Sequence, residues 1–170
     1  MLRDVCVTFR ERSLVEVLYS TGCRLSEIAN MRRNDIDWPT GSVRVIGKGD
    51  KERIVYLNPK AIFHLKAYLE DCEEYDNDCE FLFTTDKRPH RQMGTRTIQD
   101  TVDRITKRSN VDKRVTPHVF RHTMATLAME NGIELGDLQQ LLGHSNPGTT
   151  LRYAAVSEER KHNAHKRFVR

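Results

Sequence analysis

Residues 42–57 read Ser-Val-Arg-Val-Ile-Gly-Lys-Gly-Asp-Lys-Glu-Arg-Ile-Val-Tyr-Leu. Two runs rich in β-branched residues, 42–46 and 53–57, flank the loop 47–52, which contains two glycines and charges of alternating sign. This pattern predicts a β-hairpin. The segment Ile36-Asp-Trp38 predicts a further strand just before it. We therefore expect a small antiparallel sheet of three strands near the N-terminal third of the chain.

Outside the hairpin, the apolar residues recur with the period of an α-helix. The segment 71–80 is expected to form an acidic loop, and 84–94 an irregular basic connection. In the first half of the chain the expected helices are roughly 9–20 with Leu14, Val15 and Leu18 inward, about 25–32, and one that begins at Pro59 with Ile62, Leu65 and Leu69 inward. The next are one capped by Thr95 with Ile98, Val102 and Ile105 inward, and one that begins at Thr116-Pro117 with Phe120, Met124 and Leu127 inward. The last three are a short helix with Leu135, Leu138 and Leu142 that ends at Gly143, one from Asn146-Pro147 through Tyr153, and a basic one from Ser157 to about 168. The predicted fold class is mainly α with a small antiparallel three-stranded β-sheet, an α+β fold.

The size of the chain favours a single domain. It has 170 residues, enough for one well-buried core. Its mean hydropathy is −0.64, and no apolar run approaches the ~18 residues that span a bilayer. The first residues lack the apolar stretch and cleavage site of a secretory signal. We therefore expect a cytoplasmic protein without a membrane partner.

Charge is separated along the chain although the net charge is only +4. Residues 71–80 contain six acidic residues and no base, whereas 87–96 contain only basic charges. Residues 104–122 continue the basic bias. A surface that faces a polyanion has this character. The alternative is that each run is a solvated face.

Several polar residues fall where an apolar core does not require them. His118 and Arg121 lie three apart near the start of a predicted helix, where the N-terminal end already favours an anion. This pair is suited to a phosphate, and the alternative is that both are ordinary surface residues. His118 and His122 also have the spacing of a zinc-protease helix, but Val119 stands where that motif needs a glutamate. We therefore expect no metal.

Five short motifs appear in order along the chain, and together they resemble the tyrosine recombinase (phage integrase) family. The resemblance runs from about Leu14 to Val156. The motifs are Thr21-Gly-Cys-Arg24-Leu-Ser-Glu27, Gly47-Lys48-Gly-Asp-Lys-Glu-Arg53, Thr116-Pro-His118-Val-Phe-Arg121-His122, Leu141-Leu-Gly-His144-Ser and Thr149-Thr-Leu-Arg-Tyr153. The resemblance implies the catalytic-domain fold of the tyrosine recombinases.

The resemblance also implies roles for three basic residues. Arg24 and Arg121 correspond to the two arginines that clamp the scissile phosphate, since their planar forks suit its non-bridging oxygens. Lys48 corresponds to the general acid that protonates the departing 5′ oxygen. Lys51, in the same loop, is the alternative assignment.

The remaining roles fall on two histidines, a tyrosine and an acid. His118 resembles the residue that handles the tyrosine proton, and His144 the one that donates a hydrogen bond to the phosphate. Tyr153 resembles the nucleophile. Glu27 resembles an acid that supports the active site, and the alternative is an exposed helix carboxylate.

The chemistry that the resemblance implies needs neither ATP, metal nor any other cofactor. A phenol with a pKa of about 10 is a poor nucleophile at neutral pH unless a base and a positive field favour the phenolate. Attack by Tyr153 would give a 3′-phosphotyrosyl link and a free 5′-hydroxyl. Because the bond energy stays in that ester, a hydroxyl of another strand can reverse the reaction.

The implied partner is double-stranded DNA. Members of this family usually carry a core-binding domain ahead of the catalytic domain, and Arg24 lies too near Met1 to leave room for one. We therefore expect residues 1–170 to be a single catalytic domain, N-terminally truncated from a longer integrase. For the full-length protein we expect a homotetramer on paired DNA sites, and for the fragment a monomer with weak affinity for DNA.

Two other functions remain open from the sequence. A type IB topoisomerase would use the same chemistry on one strand, although the compact motif spacing and Gly143-His144-Ser145 favour a recombinase. A non-catalytic DNA-binding module would bind DNA without forming a covalent adduct.

Overall fold

The computed structural model describes residues 2–74, 79–112 and 115–143. Over those ranges the predicted α+β fold is confirmed. Two 3-10 turns, Leu2–Val5 and Arg33–Asp35, accompany α1 (Phe9–Thr21), α2 (Leu25–Asn30), β1 (Ile36–Asp37), β2 (Ser42–Ile46), β3 (Glu52–Tyr56), α3 (Pro59–Glu74), α4 (Thr95–Arg108), α5 (Pro117–Glu130) and α6 (Leu135–Leu142). The helices predicted from Asn146 and from Ser157 lie outside the described residues. In the described part of the chain, no helix is both long and apolar enough to cross a membrane.

The three strands form one antiparallel sheet in the order β1-β2-β3. Val43 pairs with Val55, and both side chains are buried on the inner face. Arg44 pairs with Ile54 on the outer face, where both are exposed. β1 pairs only with Ser42 and Val43, so the far end of the hairpin is two-stranded.

Helix α1 is the centre of the core. Leu14, Val17 and Leu18 are fully buried, and the helix packs against α3, α4 and α5. It ends at Gly22, whose left-handed backbone (φ +58°) directs its N–H to the Leu18 carbonyl. This cap turns the chain so that Arg24 comes directly before α2.

Several predicted boundaries were wrong: the helix predicted to reach 32 ends at Asn30, and Glu52, placed in the hairpin loop, begins β3. Thr95 is the first residue of α4 rather than its cap, because Gly94 has the extended conformation of a cap and its carbonyl accepts from the Ile98 N–H. The acidic stretch begins in a helix rather than a loop. Tyr68 and Cys72 continue the buried face of α3, so the helix extends to Glu74.

A smaller apolar cluster attaches α6 to α5. Ala125 of α5 and Leu138 and Leu142 of α6 are fully buried together. Gly143 ends α6 in a left-handed conformation (φ +61°), as the sequence predicts. The C-terminal end of α6 is thereby fixed beside the chain turn that follows α1.

Candidate active site

Two arginines that are distant in the sequence meet at one backbone carbonyl. Arg121, in the second turn of α5, is 5% exposed. Its two terminal nitrogens donate to the Gly22 carbonyl at 2.7 Å and to the Leu142 carbonyl at 2.6 Å. Arg24 donates to the same Leu142 carbonyl at 3.5 Å and to the Gly143 carbonyl at 2.9 Å. The two guanidinium groups are therefore oriented side by side by the backbone.

The C-terminal end of α6 is the common acceptor of this cluster. Besides the bonds from Arg24 and Arg121, the Leu141 carbonyl accepts from Arg53 Nε at 2.7 Å. The last carbonyls of a helix have no partner within it, and they carry the negative end of the helix dipole. Three arginine side chains therefore donate hydrogen bonds to the carbonyls at the C-terminal end of α6.

Glu27 is the acid of the cluster and is only 3% exposed. Arg53 binds its two carboxylate oxygens at 2.6 and 2.8 Å, and the Arg24 N–H donates to it at 2.6 Å. Burial raises the pKa of Glu27, but the hydrogen bonds from Arg53 and Arg24 outweigh burial, so the pKa lies below its ordinary value. Burial also disfavours the charged form of Arg53 and so lowers its pKa. The hydrogen bonds to Glu27 and its negative charge more than compensate, so the pKa of Arg53 lies above its ordinary value. The interpretation of Glu27 as an exposed carboxylate was wrong.

The cluster has more positive than negative charge. Among Arg24, Arg53, Arg121 and Glu27, three side chains are cations and one is an anion. Burial, followed by the charge of Arg24, lowers the pKa of Arg121 to about 10. Arg121 stays protonated at neutral pH, but at an electrostatic cost that a bound anion would relieve. The arrangement therefore suits a phosphate group.

The tip of the hairpin carries both candidate general acids. The Gly47 N–H donates to the Lys51 carbonyl at 2.8 Å and closes the turn, in which Gly49 and Asp50 have positive φ. Lys48 and Lys51 are both exposed. The choice of Lys48 over Lys51 therefore stays a prediction.

The histidines of α5 face solvent. His118 lies in the first turn and is exposed, as is His122, whereas Arg121 between them is buried. In residues 2–74, 79–112 and 115–143, no three His, Cys, Asp or Glu side chains are grouped so as to hold a metal ion. His144 and Tyr153 lie outside the described residues, so their predicted roles are not tested by the geometry. His144 directly follows Gly143 in the sequence.

The family model described as the phage integrase family matches residues 2–160. This chain belongs to that family. Among solved structures, this integrase-family chain resembles that of XerA recombinase with a TM-score of 0.85 and 31% identity, over 99% of this chain and 60% of the other. It resembles XerH site-specific recombinase, bound to palindromic difH substrate in a post-cleavage complex, with a TM-score of 0.79 and 26% identity, over 96% and 48%. The predicted tyrosine recombinase catalytic-domain fold is confirmed.

Curated relatives of this integrase-family chain are about twice as long. It is 37% identical over 165 residues to tyrosine recombinase XerD of Listeria monocytogenes serotype 4b, covering 94% of this chain and 54% of the relative. It is 40% identical over 161 residues to tyrosine recombinase XerC of Chlamydia caviae, covering 92% and 50%. The chain thus spans about half the length of these relatives.

The sequence motifs predicted no role for Arg53, although this residue ends the motif that begins at Gly47. The signal that was available is strand alternation. Val43, Val45 and Val55 face the core, and Arg53 shares that face of β3 two residues before Val55. An arginine at an inward position of a sheet requires a buried partner.

Gly143 approaches Arg53 so closely that a side chain does not fit. A Cβ added at Gly143 would lie 3.1 Å from Arg53 Cδ and 3.2 Å from Nε and Nη1, and three hydrogen bonds prevent Arg53 from yielding. We expect Gly143→Ala to lower the free energy of unfolding by about 3 kcal/mol, of which roughly 1–2 kcal/mol is backbone strain at positive φ. Denaturation in urea measures this change.

The matched control is Gly49→Ala, since Gly49 also has positive φ (+74°) but has no atom within 4 Å of its added Cβ. This variant should lose only the roughly 1–2 kcal/mol of unfolding free energy that comes from backbone strain at positive φ. Equal losses for the two variants would contradict the proposed steric conflict with Arg53.

Proposed function

We propose that this protein cuts and rejoins double-stranded DNA at specific sites, as a site-specific recombinase with Tyr153 as its nucleophile. The observation that supports the proposal most directly is the Leu142 carbonyl, which accepts hydrogen bonds from both Arg24 and Arg121. Two guanidinium groups fixed side by side, with one buried in a cation-rich cluster, form a binding site for the two non-bridging oxygens of a phosphodiester.

In the proposed cleavage step, the Tyr153 phenol oxygen attacks the scissile phosphorus. The bond from phosphorus to the 5′ oxygen breaks, a 3′-phosphotyrosyl ester forms, and the 5′ oxygen takes a proton from Lys48. His118 accepts the phenolic proton, and His144 donates a hydrogen bond to the phosphate. One phosphodiester replaces another, so the step consumes neither ATP nor a metal ion, and attack by a 5′-hydroxyl reverses it.

Arg24 and Arg121 act on the transition state in this proposal. Negative charge grows on the non-bridging oxygens as the phosphorus becomes pentacoordinate, and donors already fixed in place stabilise that charge without reorganisation. The backbone carbonyls of Gly22, Leu142 and Gly143 supply the fixation. Each guanidinium has five N–H groups. The backbone bonds use two of them on Arg121, and the backbone bonds together with the bond to Glu27 use three on Arg24.

The assignment of double-stranded DNA as the partner is supported by the relatives and by the surface. The XerH structure contains its difH substrate. In this chain, Lys87, Arg88, Arg91 and Arg96 are all exposed, and phosphate backbones bind such surfaces. For the whole protein we propose a homotetramer on paired DNA sites in the cytoplasm.

Tyr153→Phe tests the proposed nucleophile. The full-length gene product is incubated with nicked suicide duplexes that carry candidate attachment sequences, with the difH sequence among them. We expect the wild type to form a protein–DNA adduct that survives denaturing electrophoresis, and Tyr153→Phe to form none, because it lacks the attacking oxygen. Binding, measured by mobility shift, should persist.

The control is Tyr56→Phe, since Tyr56 is exposed on the outer face of the sheet. It should form the adduct as the wild type does. A wild type that binds these duplexes and forms no adduct would indicate a non-catalytic DNA-binding module. An adduct that survives in Tyr153→Phe would assign the nucleophile to another residue.

A further inference from the structure

Arg53 is the residue that joins the hairpin to the rest of the cluster. It lies on β3, and its side chain is 11% exposed on the inward face of the sheet. One end of its guanidinium binds Glu27 of α2 through both carboxylate oxygens, and its Nε binds the Leu141 carbonyl of α6. A single side chain thus connects three elements that are separate in the sequence.

The attachment lies at the base of the turn that carries Lys48. A Cβ added at Gly47 would be 3.3 Å from Glu27 Oε1 and 3.4 Å from Arg53 Nη1, so the turn rests directly on this ion pair. The backbone N–H of Gly47 also donates to the Lys51 carbonyl on the other side of the turn. The position of the whole turn, 47–51, therefore depends on where Arg53 and Glu27 lie.

The sheet itself does not fix this end of the hairpin. β1 pairs only with Ser42 and Val43, whereas the turn extends from the Ile46 and Glu52 end, where β2 and β3 have only each other. An isolated two-stranded hairpin is marginally stable in water. The contact of Arg53 with α2 and α6 supplies the support that a third strand gives elsewhere in the sheet.

We propose that Arg53 is a positioning residue that fixes the turn 47–51, and with it the Lys48 ammonium, relative to Arg24 and Arg121 for protonation of the leaving oxygen. The proposal rests on the proposed function. It applies equally to Lys51, because the same turn carries both lysines.

The test compares two suicide substrates with one variant, Arg53→Lys. The variant keeps the charge but lacks the planar fork that reaches Glu27 and Leu141 together. One substrate is the ordinary duplex, and the other has sulfur in place of the 5′ bridging oxygen. A thiolate departs without protonation because the pKa of a thiol is far below that of an alcohol, so this substrate does not need the general acid.

With the full-length protein in excess, we expect Arg53→Lys to slow adduct formation by about 30-fold on the ordinary duplex and by less than about 3-fold on the sulfur-containing one. Affinity for DNA should change by less than about 2-fold. Arg44→Lys is the control, since Arg44 lies on the outer face of the same hairpin and its side chain is 55% exposed. It should react as the wild type does on both substrates.

Gly47→Ala provides a second variant that leaves every charge in place. Its methyl group should displace the turn by a few tenths of an ångström and give the same selective loss at smaller size. If both variants slow adduct formation equally on the two substrates, or slow it on neither, the proposed role of Arg53 would be wrong, while the proposed function would stand. A wild type without adduct on either substrate would overturn the proposed function, and the role of Arg53 with it.

Discussion

Replacement of Arg121 by lysine is expected to slow adduct formation by about 10³-fold, the loss typical of removing a fixed donor from a transition state. Arg121 directs two nitrogens to the Gly22 and Leu142 carbonyls, and this arrangement orients its remaining N–H groups. The lysine ammonium is a point charge on a flexible stem and cannot keep both backbone bonds while contacting a phosphate. The charge is retained, so DNA binding should weaken by less than about tenfold. Single-turnover trapping and mobility shifts measure the two quantities.

Arg32→Lys is the matched control, because Arg32 is an exposed arginine whose side chain pairs with Glu80 at 2.7 Å. It should react at the rate of the wild type. If Arg121→Lys retained more than about a tenth of the wild-type rate, the assignment of Arg121 to the phosphate clamp would be wrong.

Replacement of Glu27 by alanine is expected to lower the free energy of unfolding by about 3–5 kcal/mol, because it leaves Arg53, whose side chain is only 11% exposed, without its partner. Arg53 is bound at 2.6 and 2.8 Å by the carboxylate that this change removes. Replacing both residues, as Glu27→Gln with Arg53→Met, removes the charge as well as its partner. The double variant should therefore be more stable than Glu27→Ala. Urea denaturation at neutral pH measures the free energy of unfolding of the wild type, of Glu27→Ala and of the double variant.

The contribution of Glu27 should also depend on pH in a defined direction. Its folded-state pKa is lowered from an ordinary value of 4.5. Ionised Glu27 therefore stabilises the fold fully above that ordinary value, and the stabilisation is lost as the pH falls through the folded-state pKa. The difference in stability between the wild type and Glu27→Gln should be largest near neutral pH and shrink in acid. A difference that stays constant down to pH ~2 would show that the carboxylate charge is not its source.

The periodicity of the sequence was sufficient to locate most elements. The existence of the hairpin, the helix with Leu14 and Leu18 inward, and the end of α6 at Gly143 are as predicted. These features depend on local physics, namely strand alternation, helical spacing and the freedom of glycine at positive φ. Local signals were weaker at boundaries, and the start of α4 was misplaced by one residue at Thr95.

The sequence by itself therefore determined the fold class, because that follows from the spacing of apolar residues, and its five motifs supplied, through their resemblance to a known family, the residues on which the proposed chemistry depends. Only the tertiary structure decided how Arg24 and Arg121 are fixed and that Glu27 is buried and paired with Arg53. The physical reason is that the acceptor at the centre is the backbone carbonyl of Leu142. Every residue has such a carbonyl, and its role depends only on which distant side chains the fold brings within hydrogen-bonding distance.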